Sequence, residues 1–122
     1  FTRRLVFQNY ANAYFAVADG LSQSGFNAAA ADYYKTGLLF YEADGAYINL
    51  GLAYYRIGNL AEAEKAWADA IRYNPSSSVA YSNMAFVYLS RNEKLKAREY
   101  AQKALKIDPK NVTAASLLQN IR

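Results

Sequence analysis

Any chemistry in this chain has to come from carboxylates, ammonium and guanidinium groups, hydroxyls, phenols and amides, because the sequence holds no cysteine and no histidine. Those absences remove thiolate nucleophiles, sulfur-bound metals, disulfides and most nucleophile-base pairs. A carboxylate or lysine left to act as base would need a strongly shifted pKa, and the spacing of the Asp and Glu residues predicts no carboxylate pair in a pocket. No catalytic residue, metal site or cofactor is therefore expected. The amides offer more. Asn49 and Asn83 stand 34 positions apart, and an amide side chain donates and accepts at once, so it can hold a peptide main chain without reading its side chains. Beside Asn49, residues Ile48, Leu52 and Tyr55 fall at i, i+4 and i+7, which gathers them on one helical face.

The elements that must position these residues are legible between Asp44 and Ser77. Tyr47, Leu50, Gly51 and Tyr54 share one face of a helix, and Ala63, Trp67 and Ala70 share a face of a second. Gly58-Asn59 supplies the turn between them, since glycine accepts the left-handed backbone at a helix end. Asn74-Pro75 stops the second helix. This unit reads as a helical hairpin.

The order Tyr47-x2-Leu50-Gly51-x2-Tyr54, then Ala63-x3-Trp67, then Pro75 resembles the tetratricopeptide repeat, a 34-residue helix-turn-helix unit. Sliding back by 33 places sets Tyr14, Val17, Ala18, Leu21, Gly25, Ala30, Tyr34 and Gly37 on the signature positions, with Glu42 where Pro75 stands. Sliding forward by 34 sets Tyr81, Met84, Ala85, Tyr88, Ala97, Ala101, Ala104 and Pro109 there, with Asn92 for the turn glycine and Ala101 for the aromatic. The period of 33 and the missing proline predict a shorter or differently shaped link over 40–44. The smaller Ala101 calls for a bulkier neighbour or a closer helix.

The resemblance implies an all-α fold, a right-handed superhelical stack of helix-turn-helix repeats in a single domain. Residues 1–10 extend the first helix, 11–43, 44–77 and 78–111 form three repeats, and 112–122 is a capping helix. One helix is expected over 1–24, with Val6, Tyr10, Tyr14, Val17 and Leu21 as its stripe. Tyr47, Tyr54, Trp67, Tyr81 and Tyr88 are expected in the core, and Gly51 at a close helix crossing.

In such a stack the first helix of each hairpin lines a concave groove. The resemblance implies a protein or peptide partner there, with Phe15, Ile48, Leu52, Tyr55, Phe86 and Leu89 as apolar anchors. Asp19 and Arg56 border the groove, and Asn49 and Asn83 form two rungs of an asparagine ladder. The expected ligand is an apolar peptide or helix; the alternative is a scaffold that self-associates. Family members that clamp the acidic tails of heat-shock chaperones use lysine, asparagine, asparagine, lysine and arginine at places held here by Phe15, Asp19, Asn49, Val79 and Asn83. Only Asn49 agrees, so a chaperone-tail role is not expected.

Composition sets the remaining bounds. No apolar run approaches the roughly 20 residues of a membrane-spanning helix. The chain opens on Phe1 with no signal-peptide layout, the pattern expected of a piece of a longer protein. Its net charge of +4 is uneven: 8 Lys/Arg face 3 Asp/Glu from Arg91 onward, against 6 and 7 before it. Lys94, Lys96, Arg98, Lys103, Lys106 and Lys110 read as a solvated helix face, and with Tyr100 the one aromatic among them, nucleic acid is not an expected partner. Asn111-Val112-Thr113 matches a glycosylation triplet, with Thr113 read as the residue that starts the last helix.

Overall fold

The computed structural model describes residues 2–121. Over that span the chain is all-α, with seven helices: α1 (Arg3–Gln23), α2 (Asn27–Phe40), α3 (Asp44–Arg56), α4 (Leu60–Tyr73), α5 (Ser78–Ser90), α6 (Lys94–Ile107) and α7 (Val112–Asn120). They pack as two compact units, the first running to Ala66 and the second starting at Trp67. The helix expected over 1–24 is α1; Phe1 lies outside the described residues.

Three turns repeat one design. Gly25, Gly58 and Asn92 take φ of +85°, +82° and +61°, the left-handed region that glycine and asparagine enter most readily. At each, the next residue donates to a carbonyl five positions back: Phe26 to Leu21 at 2.8 Å, Asn59 to Tyr54 at 2.9 Å and Glu93 to Tyr88 at 2.8 Å. The last carbonyls of the helix are thereby satisfied and the chain reverses. Asn59 then accepts from the Glu62 amide at 3.2 Å, so the turn also caps α4.

The links differ as the period predicts. Three residues, Tyr41 to Ala43, join α2 to α3, while four join α4 to α5 and four join α6 to α7. Where the other links carry proline, Glu42 accepts a hydrogen bond from the Tyr47 hydroxyl at 2.6 Å, and Arg4 donates to the Tyr41 hydroxyl at 3.1 Å.

In the first unit small residues let the helices close up. Ala18 of α1, Ala30, Ala31 and Tyr34 of α2, and Ala46, Leu50 and Ala53 of α3 form a buried cluster with Ala66, edged by Phe15, Leu21, Leu38 and Tyr54. Tyr54 and Tyr81, expected as core anchors, are half-buried at cluster edges, while Tyr47, Trp67 and Tyr88 are buried. In the second unit Ala85, Ala101, Ala104, Ala114 and Leu117 form the cluster. The ring missing at Ala101 is supplied by its neighbour: Tyr100 packs on Tyr81 at 5.9 Å and on Tyr88 at 5.0 Å. Two of the lysines expected to be merely solvated sit over these rings, Lys96 on Tyr88 at 5.3 Å and Lys103 on Tyr100 at 5.2 Å.

The last helix starts differently from the sequence reading. Asn111, not Thr113, is its cap, accepting from the Ala114 amide at 3.0 Å. The Asn111 amide nitrogen also donates to Ser78 Oγ at 2.8 Å, and Ser78 Oγ donates to the Ala104 carbonyl at 2.9 Å. One side chain therefore ties α7 to the start of α5, which is why the glycosylation triplet has its asparagine engaged. Asn111→Ala is expected to cost about 2 kcal/mol, roughly half from the cap and half from the side-chain bond. Amide exchange should speed up across α7 first; unchanged protection there would show that the tie does not hold the helix.

Candidate partner-binding site

The first unit carries the larger share of the expected site residues. Leu21 to Gln23 close α1, and one turn earlier Asp19 faces α2, where Tyr34 rises from the core. Tyr34 is 2% exposed, yet its hydroxyl needs a partner once buried. It donates to Asp19 Oδ1. Its ring meets that of Phe15 at 6.4 Å with 34° between planes. From α3, Asn49 and Leu52 complete the wall, two turns and one turn before Arg56. Arg56 Nη1 donates to Ser22 Oγ at 3.0 Å, joining the ends of α1 and α3.

Asp19, Ser22, Gln23, Tyr34, Asn49 and Leu52 line a pocket of about 250 Å³. Five of these six side chains carry hydrogen-bonding groups, so the pocket is polar with one aliphatic wall. Burial pushes the Tyr34 phenol above the ordinary tyrosine value, and the hydrogen bond and negative charge of Asp19 push it further; Asn49 and Arg56 pull the other way without prevailing. The phenol is thus a fixed donor to Asp19 across the physiological range. Because the unfolded chain releases this proton first, near pH 10, the stability linked to it is fully present below pH 10 and is lost as pH climbs above that value. Tyr34→Phe is expected to be less stable at neutral pH and to close part of that gap in strong alkali. Urea unfolding near pH 8 and near pH 11 checks this, and a constant gap would count against the assignment.

The other expected residues are placed as follows. Ile48 and Leu52 are half-buried, Tyr55 is 41% exposed, and Asp19, Asn49 and Arg56 are exposed. Phe15 is not a free anchor: it is half-buried against the first unit's core and lies over Gly37. Phe86 and Leu89 belong to the second unit, where both are half-buried against its cluster, and Asn83 is half-buried on α5 of that unit. The sequence places Tyr34 only on a repeat-signature position, the one that Trp67 holds in the second repeat. The signal was its hydroxyl, absent from the equivalent Trp67, at a position that has to be dry.

Among the described residues no group of three or more acidic side chains is arranged to hold a metal ion, and no helix is long and apolar enough to cross a membrane.

Comparison with known proteins bears on this geometry. The family model described as tetratricopeptide repeat matches residues 15–72 and, overlapping, 48–112. The chain is 38% identical over 63 residues to Tetratricopeptide repeat protein 6 of Homo sapiens, a match that covers 52% of this chain and 12% of that protein. It is 39% identical over 70 residues to the Type IV pilus assembly protein PilF of Pseudomonas aeruginosa, covering 57% of this chain and 28% of that one. The match thus spans less than a third of the length of either relative. Among solved structures, the first TPR of Spaghetti (RPAP3) bound to the HSP90 peptide SRMEEVD superposes with a TM-score of 0.86 at 22% identity, covering 93% of this chain and 91% of that one.

Proposed function

The chain belongs to the tetratricopeptide repeat family of non-enzymatic protein-interaction modules, and we propose that it holds its protein partner by taking a peptide segment into the pocket between α1 and α3. The observation that carries this reading is the pocket wall itself, where the Asn49 amide and the Leu52 side chain stand together over a floor that Tyr34 and Asp19 lock in place. Asn49 grips the main chain of an extended segment, donating to its carbonyl and accepting from its amide. Leu52, with Ile48 and Tyr55 on the same helical face, takes an apolar side chain of the ligand. Arg56 and Ser22 close the end of the site. All of these residues lie in the first unit.

A peptide ending in acidic residues, such as the one held by the RPAP3 domain, is not the ligand this wall selects. Among the described residues that line the pocket Asp19 is the one charged group, and it repels a carboxylate.

A peptide selected from a random display library against the chain, then titrated into isotopically labelled protein, tests the proposal. Amide shifts are expected to concentrate at Asp19, Ser22, Asn49 and Leu52. Leu52→Lys is expected to weaken that peptide at least tenfold, about 1.4 kcal/mol, with helical content unchanged, and Asn49→Ala is expected to weaken it several-fold. Selected peptides that shift other residues and bind the Leu52→Lys protein normally would refute the pocket as the site.

A further inference from the structure

The side of α1 that faces away from the pocket carries an exposed apolar edge. The same three repeat positions are apolar or small in each first helix. On α3 they are Ala46, Leu50 and Ala53, and on α5 Ala80, Met84 and Val87, all between 0% and 7% exposed. On α1 they are Ala13, Val17 and Gly20, and all three are exposed, Val17 by 47%. A methyl group built on Gly20 would meet nothing within 4 Å. Two further turns of α1 prolong this face with Val6, 39% exposed, and Tyr10, 54% exposed. Residues 6, 10, 13, 17 and 20 are spaced by four, three, four and three, the alternation of a coiled-coil seam, which presents one continuous edge to another helix. It is distinct from the adjoining seam of Ala11 and Ala18, which is buried.

We infer that this edge pairs with the same edge of a second copy of the chain, the two α1 helices running antiparallel. The sequence along the edge is complementary to itself in that direction and not in the other. Antiparallel pairing sets Val6 against Val17 of the second copy, Tyr10 against Ala13, and Arg3 against Gly20, so that the two largest side chains each meet a small one and the valines meet each other. Parallel pairing would oppose Tyr10 to Tyr10, Gly20 to Gly20 and Arg3 to Arg3, leaving a clash, a gap and a like-charge contact. Charge points the same way. Arg3 stands at the positive end of the α1 dipole, where a cation is disfavoured, and the last turn of α1 holds no basic residue. The antiparallel arrangement brings Arg3 to the negative end of the second helix. The seam from Arg3 to Gly20 is about 26 Å long, and its contact is isologous, so it closes at two copies. Asp19 is rotated about 180° around α1 from Tyr10, so the pair leaves the pocket open.

Sedimentation equilibrium over a wide concentration range tests this with the chain itself. The mass is expected to rise from 13.6 kDa to twice that value and stop there. Val17→Lys and Tyr10→Lys, both at well-exposed positions, should return it to a single chain with the helical circular dichroism intact. The absence of native cysteine permits a check of direction. A mixture of Val6→Cys and Val17→Cys chains should cross-link under mild oxidation, while Val6→Cys alone should not. A chain that stays at 13.6 kDa at the highest concentration, as it would if a helix of another protein covers this edge, overturns the inference. So does Val6→Cys cross-linking with itself as readily as with Val17→Cys.

Discussion

Tyr34→Ala is expected to destabilise the first unit by about 3 to 5 kcal/mol, the cost of removing a large aromatic from a packed interior. Tyr34 sits 2% exposed among the alanines of α1, α2 and α3. Alanine neighbours have no side-chain freedom with which to refill the space, so the cavity persists. The substitution also leaves Asp19 without the hydroxyl that orients it. A domain of this size has a total stability of the order of 5 to 15 kcal/mol, so the loss should show as a large fall in the urea midpoint, with peptide binding lost in parallel. Tyr34→Phe keeps the ring and gives up only the hydrogen bond, about 1 kcal/mol. If the alanine and phenylalanine variants unfolded at the same midpoint, the ring would not be the keystone of the unit.

The hairpins were legible because their signals are local. Gly25, Gly58 and Asn92 announce left-handed turns whatever packs around them, and the three-residue link at Tyr41 to Ala43 is already implied by a period one residue short. The small residue at Ala101 left two outcomes open, and the structure takes the bulkier neighbour, Tyr100. What did not follow from sequence depends on which of two adjacent helical faces wins. On α1 the large residues Val6, Tyr10, Tyr14, Val17 and Leu21 form the periodic stripe that marks the helix, yet the residues fully buried there are Ala11 and Ala18. Close helix crossings need small side chains, and hydrophobicity by residue type does not register that need. By residue type alone Phe15 is an apolar anchor for the same reason. Its partner is the gap left at Gly37 on the next helix, which no pattern within α1 reveals. The Tyr34–Asp19 bond joins residues 15 positions apart on different helices, and its sole sequence trace is a phenol where the second repeat has an indole.

That gap at Gly37 carries the remaining large effect. A Cβ placed on Gly37 would lie 2.6 Å and 2.8 Å from two ring carbons of Phe15 and 3.1 Å from the Cβ of Tyr14. For Gly37→Ala two terms oppose each other. Helix propensity favours alanine by about 1 kcal/mol, while overpacking in a well-filled interior costs about 1 to 3 kcal/mol. Phe15 is a stiff ring wedged between Gly37 and Tyr34, and the Tyr14 Cβ moves only with its backbone, so the steric term prevails and the variant should be less stable. Gly37→Leu adds three more carbons with nowhere to go and is expected to cost about 3 kcal/mol or more. The cause can be isolated by restoring space across the contact. In Phe15→Ala/Gly37→Leu the leucine enters the volume the ring has left, and the double variant should be more stable than the two single losses added together by at least about 1 kcal/mol. Residual strain against the Tyr14 Cβ keeps it below wild type. Chemical denaturation of all four proteins measures that coupling. Losses that simply add would mean that α1 and α2 can slide apart, and that the glycine is there for some reason other than the ring it accommodates.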